Sequence, residues 1–570
     1  MSETTRRDLL KGMGVATAAT LTAGVATQVA RADEASDAWW VPESWDLVAD
    51  VVVMGFGGSG AFSAISAAEE GASVIVLEKA PTADGGNLGC SSGCIHDCPG
   101  ADVDSWYDCY VHGAFGNPAP EEVIRPILEN ATACMEWLPE YGIDIDWTEC
   151  SADGHMYPET YYQGYVAGEG GMTGHWLFEA LKKAAEARGV DVRLGLGGKR
   201  LIQNPRTKEV LGIVAVDETG AETTVKANKG VIMACGGWEN NPQMYSDYTK
   251  VGTRPLNLGT PYNTGDGIPM AIEAGANLWH MDEWHPGVMT FVQPALAAGS
   301  GFCKSIGNFS QNFCIVDRNG KRFMNEGFIV AHDYGHKAAW DFSSMNAFSK
   351  ANGAADPEVR KYTTATADFV HLPIFMVFDQ TMFEEQNPLV NWDAGQGYAC
   401  VWNEFHPDDK CILWDTNDDA VAQGWIFKGD TIEELAANIR GEAPCKAPGE
   451  AVNGLDPEVL KETIETYNSY VAAGEDPDFF RSPEKMAPIE NGPFYAIEVE
   501  WLTIFTQGGP QRNENCQTID VWGQPIPRLY NVGEFGSFNV YLYTIGGILE
   551  ALTTGRIAGA HAAALEPVAE

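Results

Sequence analysis

Gly55, Gly57 and Gly60 punctuate the stretch "DVVVMGFGGSGAFSAISAAEEGASVIVLEKA" (Asp50 to Ala80), and Glu78 closes it 23 residues beyond Gly55. Residues of these types at this spacing bind a dinucleotide. Gly55 permits a tight turn, Gly57 lets the backbone approach a pyrophosphate, and Gly60 lets a helix lie close to a strand. Gly58 and Ser59 fill the turn between them. The anion belongs on the helix N-terminus, where unpaired N–H groups and the positive end of the dipole meet it. Glu78 is suited to accept hydrogen bonds from an adenosine ribose, with Lys79 beside it. This fingerprint alone does not separate NAD from FAD.

The elements that must hold these residues are legible around them. Val51-Val52-Val53-Met54 is a short apolar run suited to a buried parallel strand. "AFSAISAAEEGA" carries the small, helix-forming residues that pack closely on a sheet, and "SVIVLE" is a second strand. Three further glycine-bearing motifs follow in order. They are "KAPTADGGNLGCSSGC" after Glu78, "KGVIMACGGWENNP" with Gly236-Gly237 and then "LGTPYNTGDGIPMAIEAGA", and "IPRLYNVGEFGSFNVYLYTIGGILEALTTGRIAGAHAAA" near the C-terminus.

Together these motifs resemble the flavoprotein family of fumarate reductases, succinate dehydrogenase flavoprotein subunits and 3-ketosteroid dehydrogenases. The resemblance implies FAD, with its pyrophosphate at Gly55 to Gly60 and its adenosine at Glu78 and Lys79. It also implies that Gly86, Asn87, Ser91 and Ser92 run along the flavin side, with Gly236 and Gly237 contributing and Asp266 close to the cofactor. Glu534 resembles the acid that holds the ribityl chain, and Gly546, with Ile548 in the helix it opens, resembles the helix start facing the flavin N1–O2 edge. A helix N-terminus there stabilises the negative charge of reduced flavin. Where the family attaches FAD covalently, a histidine in the loop after the first βαβ unit does so. Here that loop offers Cys90, Ser91 and Cys94, so bound but unlinked FAD is expected.

The substrate positions depart from the dicarboxylate pattern. The family's His-Pro finds a counterpart in His285-Pro286. Its His-Thr-x-Gly-Gly becomes "FTQGG", so Phe505 replaces a histidine, and its Asn-Arg-Leu-Gly-Gly becomes "YTIGG", so Tyr543-Thr544 replaces Asn-Arg. The cap motif survives as Arg322-Phe323-Met324-Asn325-Glu326, but "GFIVAHDYGH" stands where the donor arginine would be. Each lost arginine–carboxylate contact is worth about 1.5–3 kcal/mol. The replacements are aromatic: Phe505, Phe535, Phe538, Tyr541 and Tyr543, with Phe535 at least expected to be ordinary core. Such a wall suits a flat, apolar molecule with a conjugated carbonyl. The resemblance implies hydride exchange between flavin N5 and an activated double bond, with a protein acid serving the α-carbon. Tyr334, His332, His336, Tyr543, Tyr541 and His285 are the candidates for the acid and carbonyl-polarising roles. The competing readings are a 3-ketosteroid dehydrogenase working oxidatively, a reductase of a small acid such as fumarate or urocanate, and a flavin-bearing electron carrier.

The implied fold is α/β: a Rossmann-like FAD-binding domain, its parallel sheet broken by an antiparallel excursion, with an inserted α+β substrate-capping domain. The boundaries expected are 1–32 for a signal peptide, 33–270 and 446–570 for the FAD-binding domain, and 271–445 for the cap. The N-terminal "TTRRDLLKGMGVATAATLTAGVATQVARADEA" has a twin-arginine n-region, a weakly apolar run and a small-x-small site, the layout of an exported protein working in the periplasm or otherwise outside the cytoplasmic membrane. That run is too poor in large apolar residues for stable membrane insertion. A net charge of −43 argues against nucleic acid, which requires a basic face. No C-x-x-C-H haem motif is present, so a separate electron donor is expected: a cytochrome, a flavoprotein or a quinone-linked protein. Cys90, Cys94 and Cys98 are spaced C-x3-C-x3-C, unlike the C-x2-C runs of iron–sulfur binding. Free thiols or a disulfide are therefore expected, with an iron–sulfur cluster as the alternative and no other metal. The 13 cysteines cannot all pair within one chain.

Overall fold

The computed structural model describes residues 41–97, 103–114, 118–131, 137–151, 158–167, 173–249, 256–302, 311–326, 371–390, 397–441, 451–539 and 546–568. The first strand, Leu47–Met54, lies at the centre of the larger sheet. Val51, Val52 and Val53 are each fully buried, as a strand covered on both faces must be. It pairs in parallel with Val74–Glu78 on one side and with Glu222–Met233 on the other. Asp191–Leu194 extends the sheet at one edge, and Pro525–Asn531 extends it in parallel at the other. Leu196–Gln203 and Val210–Asp217 form the antiparallel excursion, folding back onto Glu222–Met233.

The helix Gly58–Glu69 is packed against the final helix, Gly547–Ala563. Small residues make this possible: a Cβ on Gly559 would stand 2.4 Å from the Ser63 carbonyl oxygen, and one on Gly555 2.6 Å from that of Ser59. These two helices are thereby locked side by side.

A second sheet is wholly antiparallel. Its hub is the strand Phe494–Thr506, whose first half pairs with Ile374–Asp379 and with Ile426–Gly429 and whose second half pairs with Trp284–Phe291. Phe313–Val316 adds to Ile374–Asp379. A division at 445/446 therefore does not follow the sheets: residues 494–506 join the second one, and the chain re-enters the first only at Gln517–Ile519. Hydrophobic patterning marks a strand without naming its neighbours, which explains the difference. The R-F-x-N-E motif fastens this part of the molecule. Arg322 pairs with Glu326 at 2.7 Å and with Asp476 at 2.8 Å, all inside the fold. Among the described residues no helix is long and apolar enough to cross a membrane.

Candidate cofactor and active site

One cavity runs along the carboxyl ends of the first sheet's strands, where open α/β sheets bind their ligands. Gly55, Gly57, Gly58 and Ser59 line it, followed by Glu78, Lys79, Gly86, Asn87, Ser91, Gly236, Asp266, Glu534 and Ile548. The tertiary structure thus gathers residues from all four sequence motifs. Gly60 lies just behind the wall, where a Cβ would be 2.0 Å from the Gly55 carbonyl oxygen. Gly237 sits behind Glu534, and Gly546 caps the final helix so that Gly547 reaches the cavity. Ser92 is not among the lining residues; its carbonyl accepts a hydrogen bond from the Thr173 hydroxyl at 2.5 Å.

The fit to FAD can be judged on the empty space beside Gly57. A Cβ there would meet only the Gly85 carbonyl oxygen, at 3.4 Å, so the backbone is bare towards the cavity. No side chain caps the helix that begins at Gly58, and its first turn carries no acid. These features suit a pyrophosphate. Glu78 is held ready by backbone N–H groups of Phe56 and Ala80, each 2.7 Å from a carboxylate oxygen, while burial pushes its pKa up. Lys79 and Asp266 form an ion pair at 2.6 Å, and Thr264 accepts from the same ammonium at 2.7 Å.

Several residues of the site carried no signal that the motifs exposed. Asp84 borders the cavity and one of its oxygens, Oδ2, is enclosed without a hydrogen-bond partner. Burial, opposed by the Gly86 N–H and assisted by the charge of Glu78, raises its pKa from 3.8 to about 6. A raised folded-state pKa adds stability below the unfolded value that is lost as pH climbs through the folded one. Protein stripped of FAD is therefore expected to lose stability between about pH 4 and pH 6, by on the order of 2 kcal/mol after allowance for partial exposure. Asp84→Asn should make this slope shallower in pH-dependent thermal unfolding, leaving the share of the other buried acids, Glu78, Glu534 and Glu550; an unchanged slope refutes the assignment.

Glu550 is the second such residue. It sits in the first turn of the final helix, lines the cavity and is 1% exposed. Arg512 pairs with it, the Ser537 hydroxyl and Asn539 amide donate to Oε2 at 2.6 and 2.8 Å, and the Phe538 N–H donates to Oε1 at 3.1 Å. A lone acid one turn into an apolar helix, after a glycine pair, is the only trace of this network in the sequence.

The second sheet delivers Phe505 and Ile504 to the cavity wall. His285 is buried, faces Phe505 across the strand pair, and its ring stacks on that of Phe505 at 5.2 Å and 19°. Tyr334, His332, His336, Tyr541 and Tyr543 lie outside the described residues. Phe535 is core, as expected, and packs behind Gly267; Phe538 is core as well, stacked edge-on against Tyr110. Among the described residues the cysteines are free thiols, and no three His, Cys, Asp or Glu side chains are placed to hold a metal ion. Cys98 lies outside them.

The profile of the FAD binding domain family matches residues 50–543. The chain belongs to that family. It is accordingly an FAD-dependent oxidoreductase. The chain is 27% identical to digoxin reductase of Eggerthella lenta over 575 residues, covering 92% of this chain and 88% of the relative. It is 26% identical to urocanate reductase of the same organism, covering 99% and 84%. The fold is similar to that of 3-ketosteroid Δ1-dehydrogenase from Sterolibacterium denitrificans, with a TM-score of 0.66, 21% identity, and 91% and 99% of the two chains covered.

Proposed function

We propose that the protein reduces an activated carbon–carbon double bond in a bulky, unsaturated, largely apolar molecule. Electrons come from a separate donor, and the enzyme works after twin-arginine export. Relatives named for the reduction of digoxin, a vinyl phenol and urocanate support reduction of such bonds as the reaction class. The observation that carries the substrate class is the Phe505–His285 stack at the cavity wall. A histidine that would bind a carboxylate is replaced by a ring, and the imidazole behind it is shielded.

When bound, without a covalent link, FAD supplies hydride exchange at the double bond. The chain's own tasks are to hold the molecule flat, to exclude water and to deliver a proton to its α-carbon. Ile504 and Phe505 serve the first two. In this proposal Tyr334, His332 or His336 delivers the proton, and Tyr543 or Tyr541 polarises the carbonyl.

Anaerobic protein reduced by a dye tests the reading against steroid enones, vinyl phenols, urocanate and fumarate. Reoxidation by a bulky neutral compound supports it, and preference for fumarate overturns it. Dye reduction by saturated ketones instead would indicate the oxidative direction, and no response to any compound an electron carrier. Phe505→Ala is expected to lower kcat/KM for the best bulky substrate about 10–100-fold, the worth of one buried ring, with FAD retained. An unchanged value would detach Phe505 from the substrate. Fractionation of the producing cells tests export.

A further inference from the structure

Two acids meet behind Gly237. Glu239 is 0% exposed, while Glu534 is partly open to the cofactor cavity. A Cβ on Gly237 would lie 2.2 Å from Glu534 Oε1, 2.3 Å from Glu239 Oε2 and 2.3 Å from Thr506 Oγ1, so two carboxyl oxygens and a hydroxyl that accepts from the Trp238 N–H converge on one glycine. The Asn87 amide gives to Glu239 Oε1 at 2.7 Å and to Glu534 Oε2 at 3.0 Å. Asn263 gives to the same Glu239 Oε1 at 3.1 Å, and the Thr506 N–H gives to Glu534 Oε1 at 3.2 Å. Glu239 Oε2 is enclosed and receives none of them.

An enclosed carboxylate oxygen without a donor, turned towards a second carboxyl, is a costly arrangement unless a proton lies between the two. The placement of that proton follows from the donors. Glu239 Oε1 holds two amide N–H groups, which favour the charge there. Glu534 is then the acid and donates to Glu239 Oε2. The titration directions agree: burial, then the charge of Glu239, pushes Glu534 well above the ordinary carboxyl range. Glu239 is raised by burial and drawn back by the hydrogen bond from Glu534 and by the Asn263 and Asn87 amides.

We infer that Glu239 is a positioning residue that keeps Glu534 a neutral acid, so that the pair brings one negative charge instead of two to the wall of the FAD cavity. The need for such a device is visible in the lining. Glu78, Asp84, Asp266 and Glu550 are already there, and Lys79 is the only lysine or arginine among the described lining residues. The cofactor adds a pyrophosphate. A neutral carboxyl can also both give and accept hydrogen bonds with a polyol chain, whereas an ionised one only accepts.

The test reads the proton directly. Infrared spectra of FAD-loaded wild-type protein at about pH 8, well above the ordinary carboxyl range, should contain a carboxylic acid C=O stretch that shifts in D2O. Glu239→Gln should lose it, because the amide places an N–H where Oε2 accepted and Glu534 then ionises. Glu239→Asp, which restores an acceptor, should keep it. FAD titration of stripped protein should show a dissociation constant about tenfold larger for Glu239→Gln, in line with a displaced charge-assisted hydrogen bond, and near wild type for Glu239→Asp. Should Glu239→Gln not fold, Glu534→Gln must remove the same band. A wild-type spectrum without the band, or a band that survives in Glu239→Gln or in Glu534→Gln, overturns the inference.

Discussion

Arg512→Met is expected to destabilise the FAD-binding domain by about 3–5 kcal/mol, the usual result of stripping one partner from a buried ion pair. Arg512 is 0% exposed, and besides Glu550 it donates to the Gly533 carbonyl at 3.2 Å. It therefore ties the turn before Glu534 to the start of the final helix. Without it Glu550 must be buried charged and uncompensated, or bind a proton. Burial already raises the Glu550 pKa and Arg512 is the chief opposing cause, so its removal raises that pKa further. The loss should accordingly be smaller at pH 5 than at pH 8, since a raised folded-state pKa favours the protonated fold at low pH. Adding Glu550→Leu to Arg512→Met should recover much of the stability, because two apolar groups leave no orphan charge. Denaturant or thermal unfolding measures all three. An Arg512→Met protein as stable as wild type, with no pH dependence in the difference, would show that the pair carries no such load.

A pair of glycine variants separates folding from cofactor binding. Gly55 has φ +106°, and a Cβ on it would stand 2.2 Å from the Ala234 carbonyl oxygen. Gly55→Ala combines left-handed strain with a clash against backbone that cannot move away, a cost of about 3–5 kcal/mol. Low yield and a large fall in unfolding temperature are expected with or without FAD. Gly57 has φ −85°, which any residue adopts, and open cavity before it. Gly57→Ala should fold as well as wild type when stripped, yet bind FAD about 10–100-fold more weakly, because the methyl group occupies the pyrophosphate's ground. Equal FAD affinity in Gly57→Ala would mean that the anion does not approach that turn.

How much of this was legible beforehand depended on the distance over which each feature is encoded. The βαβ unit lies within Leu47 to Glu78, and every cue to it is local: three valines in a row, glycines at fixed offsets, an acid ending a strand. The antiparallel excursion is likewise a set of neighbouring strands. The membership of Phe494–Thr506 in the second sheet was not legible, since its partners Trp284–Phe291 and Ile374–Asp379 lie hundreds and more than a hundred residues earlier. The networks at the site are similarly non-local. Asn87 bridges to Glu239 and Glu534 across separations of 152 and 447 residues, and Arg512 reaches Glu550 across 38.

The amino-acid order by itself determined the dinucleotide turn, the cofactor family and the departure of the substrate positions from a dicarboxylate pattern. Each of these rests on residue types at short, fixed spacings. Only the tertiary structure decided that Phe505 meets His285 at the cavity wall, that Glu239 and Glu534 converge on Gly237, and that Arg512 neutralises Glu550. Charge and proton placement in a buried site depend on which distant groups are brought within hydrogen-bond range. Chain folding sets those distances, and no local spacing encodes them.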